Sequence, residues 1–230
     1  MAMKHSGRAR SAALKLILWT LVALVVVFIM GPLAVALGLV ISTVTLFLII
    51  VWLVFAAFTL YFFRDPNPRV PAGPGLIVSP AHGKVDAIDE VTEPYFMGGP
   101  CQRISTFLSV VDVHVQNAPV SGKIMYYKYN VGEFLNALKA ESATHNENAL
   151  IGFESGERPG VKIGARLIAG VIARRIVPFV NAGDEVARGE RISLIQFGSR
   201  VDLYLPLSAR VKVKLGDRVV GGETIMATFE

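Results

Sequence analysis

Cysteine is almost absent: Cys101 stands alone in 230 residues, which excludes a disulfide framework and any cysteine-rich zinc or iron–sulfur centre. Histidine is scarce and scattered. His5, His82, His114 and His145 lie far apart and form no HExxH pattern, so no metal site is advertised. Charged residues make up only 18% of the chain, against roughly 25% in an average soluble domain. Acidic residues are missing altogether before Arg64, and charge of either sign is missing from Leu16 to Phe63. A chain that withholds charge over such a length keeps part of itself out of water. The hydrophobic share of 53% excludes disorder and collagen-like structure. The length admits one ordinary domain with an appendage.

What charge there is has a telling distribution. Lys4, Arg8, Arg10 and Lys15 account for most of the net +5, and all 18 acids lie beyond Phe63, where bases all but balance them. A basic tail ahead of an apolar run suits a membrane surface, and nucleic acid is set aside as a partner. About 20 apolar residues span a bilayer, so the run is too long for one helix and suits two. Gly31-Pro32, with Gly38 close behind, offers the break. The expectation is a membrane-embedded or transmembrane helical hairpin, roughly 14–34 and 39–63. Arg64 and Arg69 follow the run as the tail precedes it. The positive-inside rule then places both ends, and the body, on the cytoplasmic side of the inner membrane. Trp19, Trp52, Tyr61, Phe62 and Phe63 suit interface anchors. A signal peptide is a poor fit, because the run is too long and no small-residue cleavage site follows it.

Residues 64–75 read as a linker with four prolines and two glycines, a composition that cannot be helical. Beyond it come short runs rich in Val, Ile and Phe between Gly, Pro and Asp: 76–78, 84–88, 103–109, 122–129, 162–176, 191–197, 201–205 and 210–215. That is strand-and-turn punctuation, with one short helix expected over Phe134–Glu141. The pattern G-D-x-V-x-x-G-E-x-I occurs twice, at Gly183–Ile192 and again at Gly216–Ile225. Gly-Asp marks a tight turn and the Val and Ile fill a core. The predicted fold class is mainly β (α+β), a quasi-symmetric β-sandwich or barrel-sandwich-like body over 76–230. Similar corners occur in biotinyl and lipoyl carrier domains and in membrane-fusion adaptors. They supply the alternative of a non-catalytic, membrane-anchored β-sandwich adaptor, while no lysine stands at a turn tip as a carrier would need.

Gly198-Ser199 lies between two strand-like runs. It is not a hydrolase elbow, which requires G-x-S-x-G on a strand-to-helix turn. The stretch Gly189-Glu190-Arg191, then Ile195-Gln196-Phe197-Gly198-Ser199-Arg200-Val201-Asp202-Leu203-Tyr204-Leu205-Pro206, closely resembles the processing site of phosphatidylserine decarboxylase proenzymes of the short bacterial type. The resemblance covers nearly the whole chain. Phe62–Pro66 is similar to the family's membrane-exit motif, and Val78–Val85 (V-S-P-A-H-G-K-V) to its S-P-A-D-G-K-V. Asp112–Pro119, Asn146-Glu147-Asn148 and Ile168–Ile176 match in order.

The resemblance implies that Ser199 attacks the Gly198 carbonyl and that the chain splits into a β chain (1–198) and an α chain (199–230), which stay together as a heterodimer. The α chain would begin with a covalent pyruvoyl group derived from Ser199. Its ketone would form a Schiff base with the serine amine of phosphatidylserine and act as electron sink for loss of CO₂, giving phosphatidylethanolamine. Gly198 suits this because it has no side chain to block attack. No diffusible cofactor or metal is implied, membrane lipids are the partners, and a homodimer is implied by the resemblance alone. His114 is the candidate acid/base, with Asp112 expected on the same strand face to orient it. Arg174, Arg175 and Arg200 are candidates for the lipid phosphate, since a guanidinium grips phosphate bidentately. Two positions depart from the family. His82 stands where an Asp is usual in the group that activates the serine, and Asn117 stands where many relatives carry a base. His82 is therefore expected to be the base for self-cleavage, with Asp86 or Asp112 as its orienter. A seryl lipid with other tails would share all of this chemistry.

Overall fold

The computed structural model describes residues 8–132, 146–170, 175–196 and 199–229. The helix expected over Phe134–Glu141, together with Arg174 and Gly198, lies outside the described residues. One helix, α1 (Arg8–Phe62), precedes the strands. These are β1 (Leu76–Val78), β2 (Gly83–Glu93), β3 (Gly99–Leu108), β4 (Val115–Asn117), β5 (Gly122–Asn130), β6 (Asn148–Ser155) and β7 (Lys162–Ala169). There follow β8 (Arg175–Pro178), β9 (Glu185–Val186), β10 (Arg191–Gln196), β11 (Ser199–Leu205), β12 (Arg210–Val211), β13 (Arg218–Val219) and β14 (Ile225–Thr228). The body is mainly β, as the punctuation required.

The hairpin is not formed. α1 passes through Gly31-Pro32 as a single helix, with Pro32 inside it. Its apolar part, Ile17–Phe62, is long and apolar enough to cross a membrane. At about 1.5 Å per residue, 46 residues reach roughly 69 Å, against about 30 Å of hydrocarbon. A proline costs a helix one hydrogen bond and a local clash, which bends or breaks it only when something rewards the break. Among the described residues nothing lies within 4 Å of where a side chain on Gly31 or Gly38 would stand, so no second helix packs there to reward a turn.

Beyond Thr59 the chain forms a compact unit of its own, Leu60–Glu230. Its main sheet has eight antiparallel strands in the order β13-β2-β3-β11-β7-β6-β5-β9. Two three-stranded sheets, β4-β10-β8 and β1-β14-β12, complete it. The core fills from alternate positions of the central strands, including Ile104, Ile151, Leu167, Val201 and Leu203, all fully buried. The run 162–176, expected as one strand, divides into β7 and β8, which belong to different sheets.

The sheet is quasi-symmetric, and the sequence repeat builds its two ends. β9 and β13, each inside a G-D-x-V copy, are the edge strands, pairing β5 at Gly122–Lys123 and β2 at Gly83–Lys84. Gly183 donates to the Ile124 carbonyl and Gly216 to that of Val85. A second echo, apparent once the strands are in place, faces the first: Ser79-Pro-Ala-His-Gly-Lys-Val and Ala118-Pro-Val-Ser-Gly-Lys-Ile. Gly222 donates to the Ser79 carbonyl and Gly189 to that of Ala118. His82 thus occupies the place that Ser121 holds in the other half.

The proline-rich segment is a strap rather than a free linker. Arg191 binds Asp65 and Asn67, Arg188 donates to the carbonyls of Pro71, Gly73 and Leu76, and Glu223 accepts from the Arg69 amide. Gly222 and Gly189 are equivalent in the two repeat copies and have left-handed φ of 73° and 80°. A Cβ on Gly222 would stand 2.8 Å from Cβ of Pro68, and one on Gly189 would collide with Val70. We expect Gly222→Ala or Gly189→Ala to cost about 1–3 kcal/mol through backbone strain and overpacking. The check is a lowered unfolding temperature of the full chain in detergent, with faster proteolysis in residues 64–75.

Candidate active site

β10 ends at Gln196 in one sheet and β11 starts at Ser199 in another. Two residues, 197 and 198, make the passage. Ser199 is then held on both sides, opposite Leu108 of β3 and Ala169 of β7. It is fully buried, and its Oγ has no hydrogen-bond partner among the described residues. Buried hydroxyls are normally satisfied, so an orphan calls for an explanation. A hydroxyl kept dry and unengaged is free to turn toward the preceding carbonyl.

His114 lies in the turn that leads into β4, and Asp112 sits in the same turn, so the expected strand-face pairing of the two is not what the chain forms. The Asp112 carboxylate accepts from the amide and hydroxyl of Ser109 at 2.8 and 2.7 Å and faces Arg218 at 3.3 Å. It is the Asp112 carbonyl that lies 2.9 Å from His114 Nδ1. A carbonyl can only accept, so Nδ1 carries the proton and the lone pair of the neutral ring is on Nε2. The His114 carbonyl receives the amides of Gln116 (Nε2) and Ile195 (N), which ties this turn to β10, four residues before Ser199. The ring is fully buried. Burial is the chief reason its pKa lies below the ordinary imidazole value. Arg64 and His82 push the same way, while the Asp112 carbonyl bond and carboxylate push it back up.

His82 is half-buried against Gly221, where a Cβ would stand 2.9 Å from Cδ2 of its ring and 2.8 Å from Asn117 Oδ1. Its pKa also lies below the ordinary value, by burial first and then Arg64, opposed by Asp112, Glu223 and Asp65. Of the two expected orienters, Asp112 is therefore among the acids around His82. Asp86 is placed elsewhere. It is the extra residue of a β-bulge in β2, and its carboxylate faces Arg200 at 3.4 Å.

Arg200, expected at the lipid phosphate, has its guanidinium committed inside the protein. Nε donates to Asp202 at 2.9 Å and Nη2 to the Ser105 hydroxyl at 2.7 Å. Asp202 is fully buried, and its Oδ2 has no hydrogen-bond partner among the described residues. Burial pushes the Asp86 carboxyl up from its ordinary value despite Arg200. In the sequence Asp202 only breaks a hydrolase pattern. The usable signal is charge at i and i+2 of a strand otherwise rich in apolar residues, which puts both charges on one face of a buried strand. Arg175, by contrast, is exposed at the start of β8. It borders a cleft of about 470 Å³ with Tyr127 and Tyr129, where burial and Glu147 push the Tyr129 phenol up to about 12.

Two outcomes follow from these charges. Arg200→Met takes from the buried Asp202 the nearer of its two guanidinium partners, leaving Arg103 at 3.8 Å, and takes from Asp86 its partner at 3.4 Å, and should cost about 2–4 kcal/mol. Arg191→Met breaks the exposed pair with Asp65 and the exposed hydrogen bond to Asn67 and should cost about 1 kcal/mol; equal effects in thermal unfolding would contradict this assignment. Both imidazoles bind protons less readily in the folded chain than in the unfolded one, whose value is 6.5. Below 6.5 the unfolded chain holds more protons, so stability is full above that pH and declines as pH falls through the folded values. Melting curves at about pH 7.5 and about pH 5 should differ in that sense, and less so in His82→Gln and His114→Gln.

The family model described as phosphatidylserine decarboxylase matches residues 55–227. A phosphatidylserine decarboxylase proenzyme of Desulfotalea psychrophila is 43% identical over 176 residues, covering 76% of this chain and 81% of that protein. Its namesake in Zymomonas mobilis is 47% identical over 172 residues, 72% of this chain and 69% of its own. That of Symbiobacterium thermophilum is 43% identical over 171 residues, 74% and 79%. The match begins in the last part of α1 and takes in every site residue discussed above, so the chain belongs to the phosphatidylserine decarboxylase family.

Proposed function

We propose that this decarboxylase, which converts phosphatidylserine to phosphatidylethanolamine and CO₂, does so with a pyruvoyl group that it makes from its own Ser199. The observation that carries the reading is the buried Ser199 Oγ, unbonded among the described residues, at the two-residue passage between sheets. Oγ adds to the Gly198 carbonyl carbon as the Gly198–Ser199 C–N bond breaks, and the hydroxyl proton passes by way of His82 to the freed nitrogen, which leaves an ester. Loss of the Ser199 α-proton expels the Gly198 carboxylate, and water then releases the nitrogen as ammonia. The products are residues 1–198 and a pyruvoyl-headed 199–230. The site fits that group: the backbone at 199 is fixed between β3 and β7, and no side chain among the described residues holds the oxygen.

The pyruvoyl ketone supplies the electron sink for the carbanion left by CO₂. The rest falls to the chain's own residues. His114 rests neutral, so Nε2 takes a proton from the incoming ammonium and returns it to carbon after CO₂ has left. Exposed Arg175, with its neighbour Arg174, provides charge for the phosphate. The two fragments stay together because β11 hydrogen-bonds to β3 and β7 on either side and residues 199–230 also supply β12, β13 and β14. The apolar helix anchors the chain at the membrane, with the body at the cytoplasmic face where Arg64 and Arg69 follow the apolar run. A merely adhesive adaptor has no use for such a serine.

Denaturing mass spectrometry should find two fragments divided between Gly198 and Ser199, the smaller with a blocked, pyruvoyl amino end. Ser199→Ala and His82→Ala should each remain one polypeptide, while His114→Gln should be cut normally yet lose at least about 100-fold in turnover, the usual scale for an acid/base group. An intact wild-type chain that still decarboxylates would defeat the proposal. Normal cutting of His82→Ala would remove His82 from it.

A further inference from the structure

Resting on His114 as the acid/base group, we propose that Phe62, the last residue of the apolar helix, is a positioning residue that fixes the His114 ring for proton transfer. Phe62 is only 1% exposed, whereas Tyr61 and Phe63 on either side are exposed at 50% and 40%. Its ring centroid lies 4.2 Å from that of His114, with the planes 32° apart. Phe63 meets Phe62 edge-on at 4.9 Å and 77°, so the ring that faces the imidazole is itself braced. The Nδ1 bond to the Asp112 carbonyl holds one edge of the imidazole but does not set its tilt about that bond. A second ring against its face sets the tilt and fixes where the Nε2 lone pair points.

The helix end is tied to the same turn by its next residues. Arg64 donates to the Tyr61 carbonyl at 2.8 Å and to the Val111 carbonyl at 2.6 Å, and the Tyr61 hydroxyl reaches the Val111 carbonyl at 3.4 Å. Residues 61–64 and the 109–114 turn, both within the body, therefore form one joint, and the acid/base residue is built into it. Among the described residues, the charged or titratable groups that act on His114 include Asp112 from its own turn, Arg64 just after the helix end and His82 from the turn before β2. Phe62 adds no charge; it excludes water, which is the chief influence keeping this imidazole neutral. The helix's last residues, Tyr61 and Phe62, thus belong to the body and to its catalytic framework.

The test uses the full chain in lipid nanodiscs containing phosphatidylserine. Phe62→Ala should lower kcat about tenfold with KM within about twofold, the scale of a misdirected rather than a missing group. The acidic limb of its kcat–pH profile should move to higher pH, and the His114 imidazole, followed by NMR with labelled histidine, should titrate nearer its ordinary value. Phe62→Leu, which refills most of the space, should recover much of both and separates positioning from a failure to fold. Fragment analysis should show normal cutting in both variants. An unchanged imidazole titration and pH profile in Phe62→Ala would overturn the proposal. Full turnover in His114→Gln would instead overturn the role of His114, and it is read without any change at Phe62.

Discussion

Strand β11 has to satisfy two demands that pull against each other. Every residue from Ser199 to Leu205 is buried, and the strand is hydrogen-bonded along both edges, as the centre of an eight-stranded sheet must be. Its first residue is also the place where the chain is proposed to cut itself. A central strand begun by a broken chain survives only if the pairing on either side holds the new end. Leu108 and Ala169 supply that pairing at Ser199, and Arg200 adds a charged anchor one residue later. Both the proposed chemistry and the proposed persistence of the fragments as one particle depend on this strand.

Its electrostatics show why the buried charges serve structure first. A guanidinium gripped by Asp202, Ser105 and Asp86 cannot also bind a lipid phosphate without giving up its 2.9 Å contact with the fully buried Asp202, a cost larger than one phosphate contact returns. The anion-facing role is therefore proposed for residues that water can reach, of which Arg175 is a described example. The histidines are treated the other way. Burial and nearby Arg64 favour their neutral forms, which is what the roles proposed for them, base for the serine hydroxyl and carrier for the ammonium proton, require.

The repeat architecture explains how His82 comes to its place. Each half of the sheet has a Pro-x-x-Gly-Lys turn leading into a long strand, and each turn is capped by a glycine of the opposed Gly-Asp motif. In one half the residue before the glycine is Ser121, whose hydroxyl accepts from the Arg188 amide; in the other it is His82. The same backbone device thus serves the fold at one end and is proposed to serve chemistry at the other. The proline-rich strap crosses both copies.

Much of this is readable along the chain because it rests on local rules. A charge-free run means burial away from water, Gly and Pro clusters mean strands and turns, and the Gly-Asp repeat means two similar corners. The residues around Gly198-Ser199 carry the family. What cannot be read depends on partners distant in sequence. Pro32 looks like a turn, but a turn needs a second helix to pack against. Asp112 looks like a strand neighbour of His114, yet the chain bends there and offers its carbonyl instead. Arg200 looks free until Ser105 and Asp86 arrive from other strands, and nothing near Phe62 in sequence announces that it packs on the distant His114. Sequence alone determined the element types, since local composition and punctuation suffice for them, and the resemblance around Gly198-Ser199 singled out the proposed reactive residue; only the tertiary structure decided which charges were spent inside and which ring lies against the histidine, because both are set by contacts between strands and turns remote in the chain.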